Sequence, residues 1–238
     1  MHIEIMKLKR SKLNLMYIFG AIFGALIAIC IQRFSPDLYG NIPSNTPFQN
    51  IFGTWKILSM LNTFIIFISG TIIYSNEYEH NGIKKMRSLP INEITPFIYK
   101  ILIVFIAINL VSLIQLSSMF IYTMLKNGLY DGLVREFLLN YLYSVISSIS
   151  LITITIFLNS LTRNIWIPLG LNIIAFFITN IMSQDLFAFK LVPYAMYQEF
   201  SYYSSNSKVM IFSTVSIAVT IITIILKIIL INTRREKL

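Results

Sequence analysis

Charged residues are scarce in this chain of 238 residues, of which only 12% are Asp, Glu, Lys or Arg. Average globular chains carry about twice that share. The single cysteine, Cys30, excludes an internal disulfide framework and a cysteine-rich zinc site. The 9 glycines and 7 prolines are too few for a collagen-like or low-complexity chain. Hydrophobic residues make up 56% and the mean hydropathy is +0.72, so the composition predicts an all-α polytopic membrane protein.

Six apolar runs come close to the roughly 20 residues that a helix needs to cross a bilayer. They cover residues 13–31, 55–75, 97–125, 137–160, 165–182 and 209–231. Pairs such as Thr95-Pro96 and Asn127-Gly128 mark breaks between the runs. Because only residues 161–164 separate the fourth and fifth runs, we expect a tight antiparallel hairpin there. The sequence thus predicts one six-span domain over residues 13–231, followed by a cytoplasmic tail at 232–238.

The few charges are unevenly distributed along the chain. Six crossings place both termini on one side of the membrane, and 13 of the 19 Lys and Arg residues fall on that side. The 10 acidic residues divide equally between the two sides. Because cytoplasmic loops carry an excess of Lys and Arg, both termini are predicted to lie in the cytoplasm.

The N-terminal residues 1–12 are both basic and apolar. Met1, Ile5 and Leu8 recur at helical spacing, with charged residues between them. This pattern predicts a short amphipathic helix on the cytoplasmic leaflet, and an unstructured basic tail is the alternative.

Ionisable side chains are missing from the centres of all six runs. Such residues commonly mark ion or proton paths, so their absence weighs against an ion-coupled carrier. Lys56 and Lys227 lie near the ends of their runs, where we expect them to reach the membrane surface. His2 and His80 lie outside the runs and no H-E-x-x-H motif is present, so no metal site or catalytic residue is predicted. The chain also lacks G-x-x-x-x-G-K-[ST], so it cannot bind ATP by a P-loop.

Small residues recur along two of the runs. They are Gly20, Gly24 and Ala28 in the first run, and Ser144, Ser147, Ser148 and Ser150 in the fourth. Such stripes favour close packing of membrane helices and hydrogen bonds between them.

The third run carries neutral polar side chains, among them Asn109, Ser112 and Gln115. Ser112 and Gln115 lie on one face of a helix. That face either lines a translocation pathway or hydrogen-bonds to neighbouring helices, and the sequence leaves both interpretations open.

The loop between the second and third runs predicts a short helix between the turn at Asn81-Gly82 and the stop at Pro90. Its apolar edge would consist of Ile83, Met86 and Leu89, and its basic remainder of Lys84, Lys85 and Arg87. This combination fits the groove of a partner protein. A basic loop that anchors the helix ends to anionic lipid is the alternative.

The string Glu77-x-Glu79-x-x-Gly82, followed by Leu89-Pro90 and a long apolar run, resembles the permeases of type-2 ABC exporters. The resemblance implies a coupling helix that docks on the ATPase subunit. The implied docking residues are Glu77, Glu79, Gly82, Ile83, Lys84, Lys85, Met86, Arg87, Leu89 and Pro90, although Ile83 stands where the family often has Thr. Residues 183–208 look like the re-entrant extracytoplasmic helices of that family.

The resemblance also implies what the protein does. The chain would be a non-catalytic subunit without cofactors, because ATP is bound by the partner subunit. A second permease copy or a sister permease would complete the pathway in the bacterial cytoplasmic membrane. The overall character is most similar to lantibiotic and bacteriocin immunity permeases, which export amphipathic antimicrobial peptides. An ion-coupled secondary transporter and a non-transporting assembly or sensor subunit are the alternatives.

Overall fold

The computed structural model describes five stretches of the chain, and their regular structure is entirely helical. The described residues are 13–34, 54–79, 94–183, 186–199 and 206–235. The helices are α1 (Leu13–Phe34), α2 (Trp55–Glu79), α3 (Ile94–Asn127), α4 (Leu133–Asn159), α5 (Trp166–Met182), α6 (Phe187–Lys190), α7 (Pro193–Met196) and α8 (Asn206–Arg235). The all-α prediction is therefore confirmed for this part of the chain. The predicted amphipathic helix at 1–12 and the predicted docking helix at 82–90 lie outside the described residues.

Five helices are long and apolar enough to cross a membrane, namely α1, α2, α3, α4 and α8. The remaining predicted span forms α5, an apolar helix of 17 residues. At 1.5 Å per residue, α5 is about 26 Å long, slightly shorter than the roughly 30 Å hydrocarbon core of a bilayer. The protein is a multi-pass membrane protein with five clear spans among the described residues, where the sequence predicts six.

Several helices extend beyond the apolar runs, and the polar residues that flank the runs are also helical. α3 begins at Ile94, α4 begins at Leu133 and α8 continues to Arg235. α3 ends at Asn127, as the Asn127-Gly128 pair predicts. Gly128 and Gly132 follow with φ of 74° and 103°, a left-handed conformation that favours glycine.

The described helices pack as one bundle. α1 lies against α3 and α2, α3 packs on α4, and α4 packs on α8. α2 also contacts α4 and α5, and α7 lies against α5 and α4. An aromatic cluster fills the place where α2, α5 and α7 meet: the ring of Phe67 lies 6.3 Å from Phe176 and 5.9 Å from Tyr194.

The glycine stripe of α1 packs closely against two neighbouring helices, as its spacing predicts. Gly20, Gly24 and Ala28 are buried. A Cβ atom at Gly20 would collide with Ile65 of α2, and one at Gly24 would collide with the side chain of Gln115 in α3. α1 can therefore approach both helices only because these positions lack side chains.

The serine stripe of α4 is also buried, but its hydroxyl groups do not join helices as predicted. Ser144, Ser147, Ser148 and Ser150 donate to carbonyl groups three or four residues earlier in α4 itself. This is the usual local bond of a serine within a helix. The bond between α4 and α8 instead comes from Ser216, whose hydroxyl donates to the carbonyl of Ile146 at 2.7 Å.

Candidate functional site

The predicted docking loop joins the end of α2 to the beginning of α3. α2 ends at Glu79 and α3 begins at Ile94, so residues 80–93 connect these two helix ends. Eight of the ten predicted docking residues lie in that connection, outside the described residues, as does the side chain of Glu79. The remaining residue, Glu77, has a defined environment within the bundle.

A buried ion pair joins α2 to α3 next to the loop. The Nζ of Lys100 donates to the Oε2 of Glu77 at 2.6 Å, and the two side chains are only 3% and 4% exposed. The ammonium group also lies 4.4 Å from the ring centroid of Tyr74, a favourable cation–π geometry. Burying two charges costs free energy that their attraction and hydrogen bonds must offset. The pair therefore fixes the relative position of the two helix ends.

The sequence alone did not indicate this ion pair. Glu77 belongs to the predicted docking motif, and Lys100 lies near the start of the third apolar run, so neither residue by itself indicates a buried partner. A Glu two residues before the end of one helix and a Lys six residues after the start of the next can pair when the loop brings the helices together. The positions of these two residues on either side of the loop were the signal from which the pair could have been predicted.

A second group of contacts joins α4 and α8 at the same end of the bundle. Ser160 follows the last residue of α4, and its carbonyl accepts a hydrogen bond of 3.3 Å from the hydroxyl of Tyr78 in α2. Its own hydroxyl accepts a bond of 2.9 Å from the Nζ of Lys227 in α8. Ser160 thus connects α2 and α8 to the end of α4.

The prediction that Lys227 reaches the membrane surface is wrong. Its residue is only 8% exposed and its Nζ points into the bundle, 5.5 Å from the ring centroid of Phe97 in α3. α8 continues for eight residues beyond it, to Arg235, so Lys227 lies more than two turns inside the helix. Lys56, by contrast, is exposed.

These contacts form a closed ring around the loop end of the bundle, which we call the belt. It consists of Glu77 and Tyr78 of α2, Phe97 and Lys100 of α3, Ser160 after α4, and Lys227 of α8. Starting from α3, the contacts lead to α2, to α4, to α8 and back to α3. The arrangement ties four helices together beside the predicted docking loop.

The predicted pathway residues on α3 lie among neighbouring groups. Gln115 is fully buried and exchanges two hydrogen bonds with Asn62 of α2, at 2.8 and 3.0 Å. The hydroxyl of Ser112 donates to the carbonyl of Asn109, and the Nδ2 of Asn109 donates to that of Phe105. Gln115 therefore joins α2 and α3 within the single chain. A pathway role for Asn109, Ser112 and Gln115 stays a prediction.

The short helices α6 and α7 lie at the opposite end of the bundle from the belt. The hydroxyl of Tyr194 donates to the Oδ1 of Asn172 in α5 at 2.8 Å, and that of Tyr143 in α4 donates to the carbonyl of Met196 at 3.1 Å. The ring of Tyr197 lies 6.3 Å from Trp55, the first residue of α2. These contacts fix α7 and Tyr197, which follows it, against α2, α4 and α5.

Within the described part of the chain, no group of three or more His, Cys, Asp or Glu side chains could hold a metal ion. The belt holds charges, aromatic rings and a hydroxyl group, arranged for contacts between helices. The belt therefore links neighbouring helices to one another.

Comparison with protein families identifies the class. The model of the ABC-2 family transporter proteins matches residues 1–180, about three quarters of the chain. The chain therefore belongs to the ABC-2 transporter family, whose members are membrane permease subunits of ABC transporters that work with a separate ATPase. Comparisons with curated proteins and with solved structures gave no match.

Proposed function

We propose that this protein is the membrane-spanning permease subunit of an ATP-driven exporter in the bacterial cytoplasmic membrane. The ATPase subunit would dock on the loop at residues 80–93. The observation that carries the proposal is the buried Glu77–Lys100 pair in a member of the ABC-2 family. The pair fixes both helix ends from which the predicted docking loop extends.

The contacts of α5 and α7 support a sixth crossing of the membrane. α5 starts after the short connection from Ser160, at the belt end of the bundle. Near the other end, Met196 of α7 contacts Tyr143, and Tyr197, the next residue, contacts Trp55. These contacts support a traverse of the bundle between residues 160 and 193. α5 supplies that crossing, and its modest length suits a helix packed against protein.

The same contacts support a re-entrant segment at α6 and α7. Tyr194 reaches Phe67, which lies twelve residues from either end of α2, so α7 enters the bundle from its outer end. Helices that enter and leave on the same side are tolerated where protein surrounds them. We infer that α6 and α7, within the predicted segment 183–208, form an extracytoplasmic re-entrant structure.

The distribution of Lys and Arg supports a cytoplasmic location for the belt, the docking loop and both termini. ATP is available only there, so this orientation is the one that an ATPase partner requires. The apolar edge predicted for residues 83–89 would be buried in the partner's groove. The basic face would orient the helix on the partner.

Replacement of Met86 and Leu89 by Asp is expected to abolish co-purification of the ATPase subunit of the transporter. The substitutions place two carboxylates on the edge that would be buried in the partner's groove. The measurement is the amount of ATPase retained by the tagged permease in mild detergent.

Leu129→Asp is the matched control for that experiment. It makes the same chemical change at a residue that is 68% exposed in the α3–α4 loop, at the opposite end of the bundle. The control should retain the partner fully. If the Met86→Asp/Leu89→Asp variant retains as much ATPase as the control, the partner does not dock on this edge.

A second permease copy or a sister permease would complete the translocation pathway. Large apolar side chains of α1 and α8 point away from the bundle, among them Phe19, Phe23 and Ile222. In a membrane such faces contact either lipid or another permease. The family membership favours a pair of permeases, one for each half of the pathway.

We propose an amphipathic antimicrobial peptide as the substrate, in bacteriocin self-immunity. The support is the overall likeness to immunity permeases, together with a short chain rich in Ile, Asn and Lys. Deletion of the gene should sensitise its host to a cationic peptide antibiotic, because the exporter would no longer remove the peptide from the membrane. Minimal inhibitory concentrations of nisin and related lantibiotics measure this effect.

The control for the deletion is complementation with the wild-type chain or with the Met86→Asp/Leu89→Asp variant. Only the wild-type chain should restore immunity. Unchanged sensitivity across a panel of cationic peptides would contradict the peptide assignment, and it would leave ATPase docking to be judged by co-purification.

A further inference from the structure

We propose that the belt couples the ATPase to the membrane helices, and that Glu77 and Lys100 are positioning residues that hold the docking loop in register with α4 and α8. This inference rests on the proposed docking of the ATPase at residues 80–93. It assigns Glu77 a role that differs from direct contact with the partner.

The first step of the argument is the burial of Glu77. Its side chain is 4% exposed and its carboxylate accepts a hydrogen bond from Lys100. A carboxylate in that environment has little surface left for a partner protein. The residue nevertheless lies only two positions before the end of α2, where the loop begins. It can therefore act on the loop through the backbone of α2.

The second step concerns the way a force on the loop enters the bundle. The loop is covalently attached to α2 and α3 alone. If the two helix ends moved independently, a displacement of the loop would bend them apart. The Glu77–Lys100 pair makes them one unit, because separating the pair would expose two charges to an apolar interior.

The third step is the continuation of the contacts beyond α2 and α3. Tyr78 holds the carbonyl of Ser160, and Lys227 holds its hydroxyl while lying over Phe97. A movement of the α2–α3 unit is thereby passed to α4 and α8, and through the short connection after Ser160 to α5. We expect helices that are joined in this way to move together.

The closed path distinguishes the belt from ordinary helix contacts elsewhere in the described chain. The Asn62–Gln115 pair also joins α2 to α3, but it lies in the middle of the bundle and does not extend to α4 or α8. The Lys190–Glu199 pair lies at the far end and both partners are 35% exposed. Among the contacts of the described residues, the belt alone combines a buried ion pair with a position next to the loop.

The test uses the complete complex of permease and ATPase in nanodiscs. Spin labels are attached to cysteines introduced at Leu129 and Phe187, two exposed residues at the end opposite the belt, in a Cys30→Ser background. Mixing labelled with unlabelled permease isolates the distance within one chain. The wild-type complex should show a change in this distance on addition of ATP and vanadate.

Glu77→Gln should leave co-purification of the ATPase unchanged. The fraction of permease molecules that show the ATP-dependent distance should fall about tenfold, a typical magnitude for coupling between sites. The charge exchange Glu77→Lys/Lys100→Glu should restore the response. Glu199→Gln, the same change in the exposed pair, should have no effect. The double variant Glu77→Leu/Lys100→Met, which removes both charges of the pair, gives the same test if the single variant does not fold.

Several results would overturn the belt as the coupling element. One is a full distance response in Glu77→Gln, and another is no restoration of the response by the charge exchange. A third is no ATP-dependent change in the wild-type complex. The fourth is loss of ATPase binding in Glu77→Gln, which would make Glu77 a docking residue. Failure of the proposed function is seen separately, since the wild-type permease would then retain no ATPase at all.

Discussion

A chain carrying Lys100→Ala is expected to lose about 3–5 kcal/mol of unfolding free energy, because the substitution leaves the buried carboxylate of Glu77 without the ammonium group that neutralises it. The ring of Tyr74 also loses its cation. The measurement is the fraction of monodisperse protein that remains in detergent after heating or after titration with denaturant.

Two controls separate charge burial from loss of packing. The double variant Glu77→Leu/Lys100→Met removes both charges and fills the space with apolar atoms, which is often neutral or stabilising. Lys190→Ala breaks a pair that is one third exposed, where the expected loss is below about 1 kcal/mol. Equal losses in Lys100→Ala and Lys190→Ala would show that the buried pair contributes no more than a surface pair.

Gly24→Leu is expected to destabilise the protein by about 3 kcal/mol, the upper range for overpacking a core. A Cβ atom at Gly24 would collide with the Nε2 of Gln115 and would lie 2.9 Å from its Cδ. Gln115 cannot retreat without breaking its two hydrogen bonds to Asn62. α1 would therefore be displaced from α3. Thermal stability in detergent measures the effect.

Gly170→Leu is the matched control, since Gly170 is helical and a Cβ atom there meets nothing within 4 Å. It should be neutral or slightly stabilising, because leucine favours helix over glycine by up to about 1 kcal/mol. Adding Gln115→Ala to the Gly24→Leu chain should recover part of the loss. If both glycine substitutions behave alike, close approach of α1 to Gln115 does not limit stability.

The apolar runs predicted where the helices lie, because a helix that crosses a bilayer needs a length and a composition that can be read directly from the sequence. The Asn127-Gly128 pair predicted the end of α3, and the spacing of the small residues in α1 predicted close packing at Gly24. The partner of Gly24 could not be predicted. Any helix with a suitable groove could have faced it, and the choice of α3 depends on the three-dimensional arrangement.

The belt escaped prediction because its members look like surface residues when they are considered singly. Glu77 and Lys100 lie near helix ends, where charges are usually solvated, and Lys227 lies near the end of an apolar run. Their burial results from convergence of α2, α3, α4 and α8 at one point. Such convergence depends on contacts between residues distant in the sequence, which local spacing does not encode.

The serine residues of α4 illustrate a different limit. Their periodicity correctly indicated a buried face, but a buried hydroxyl group can bond either across to another helix or back to its own backbone. The second arrangement needs no partner, and Ser147 and Ser150 adopt it. Sequence spacing predicts the face and leaves the direction of the hydrogen bond undetermined.

The position of Ser160 has a consequence for the electrostatics of α4. The last carbonyl groups of a helix lack partners within it and carry roughly half a negative charge as the end of the helix dipole. Tyr78 donates to the carbonyl of Ser160, and the ammonium group of Lys227 lies at its hydroxyl. Within the chain, Ser160 and Leu161 already donate to the carbonyl groups of Ile156, Phe157 and Leu158. α2 and α8 add a hydrogen bond and a positive charge at this end of the dipole, so movement of either helix away from α4 is expected to weaken its compensation.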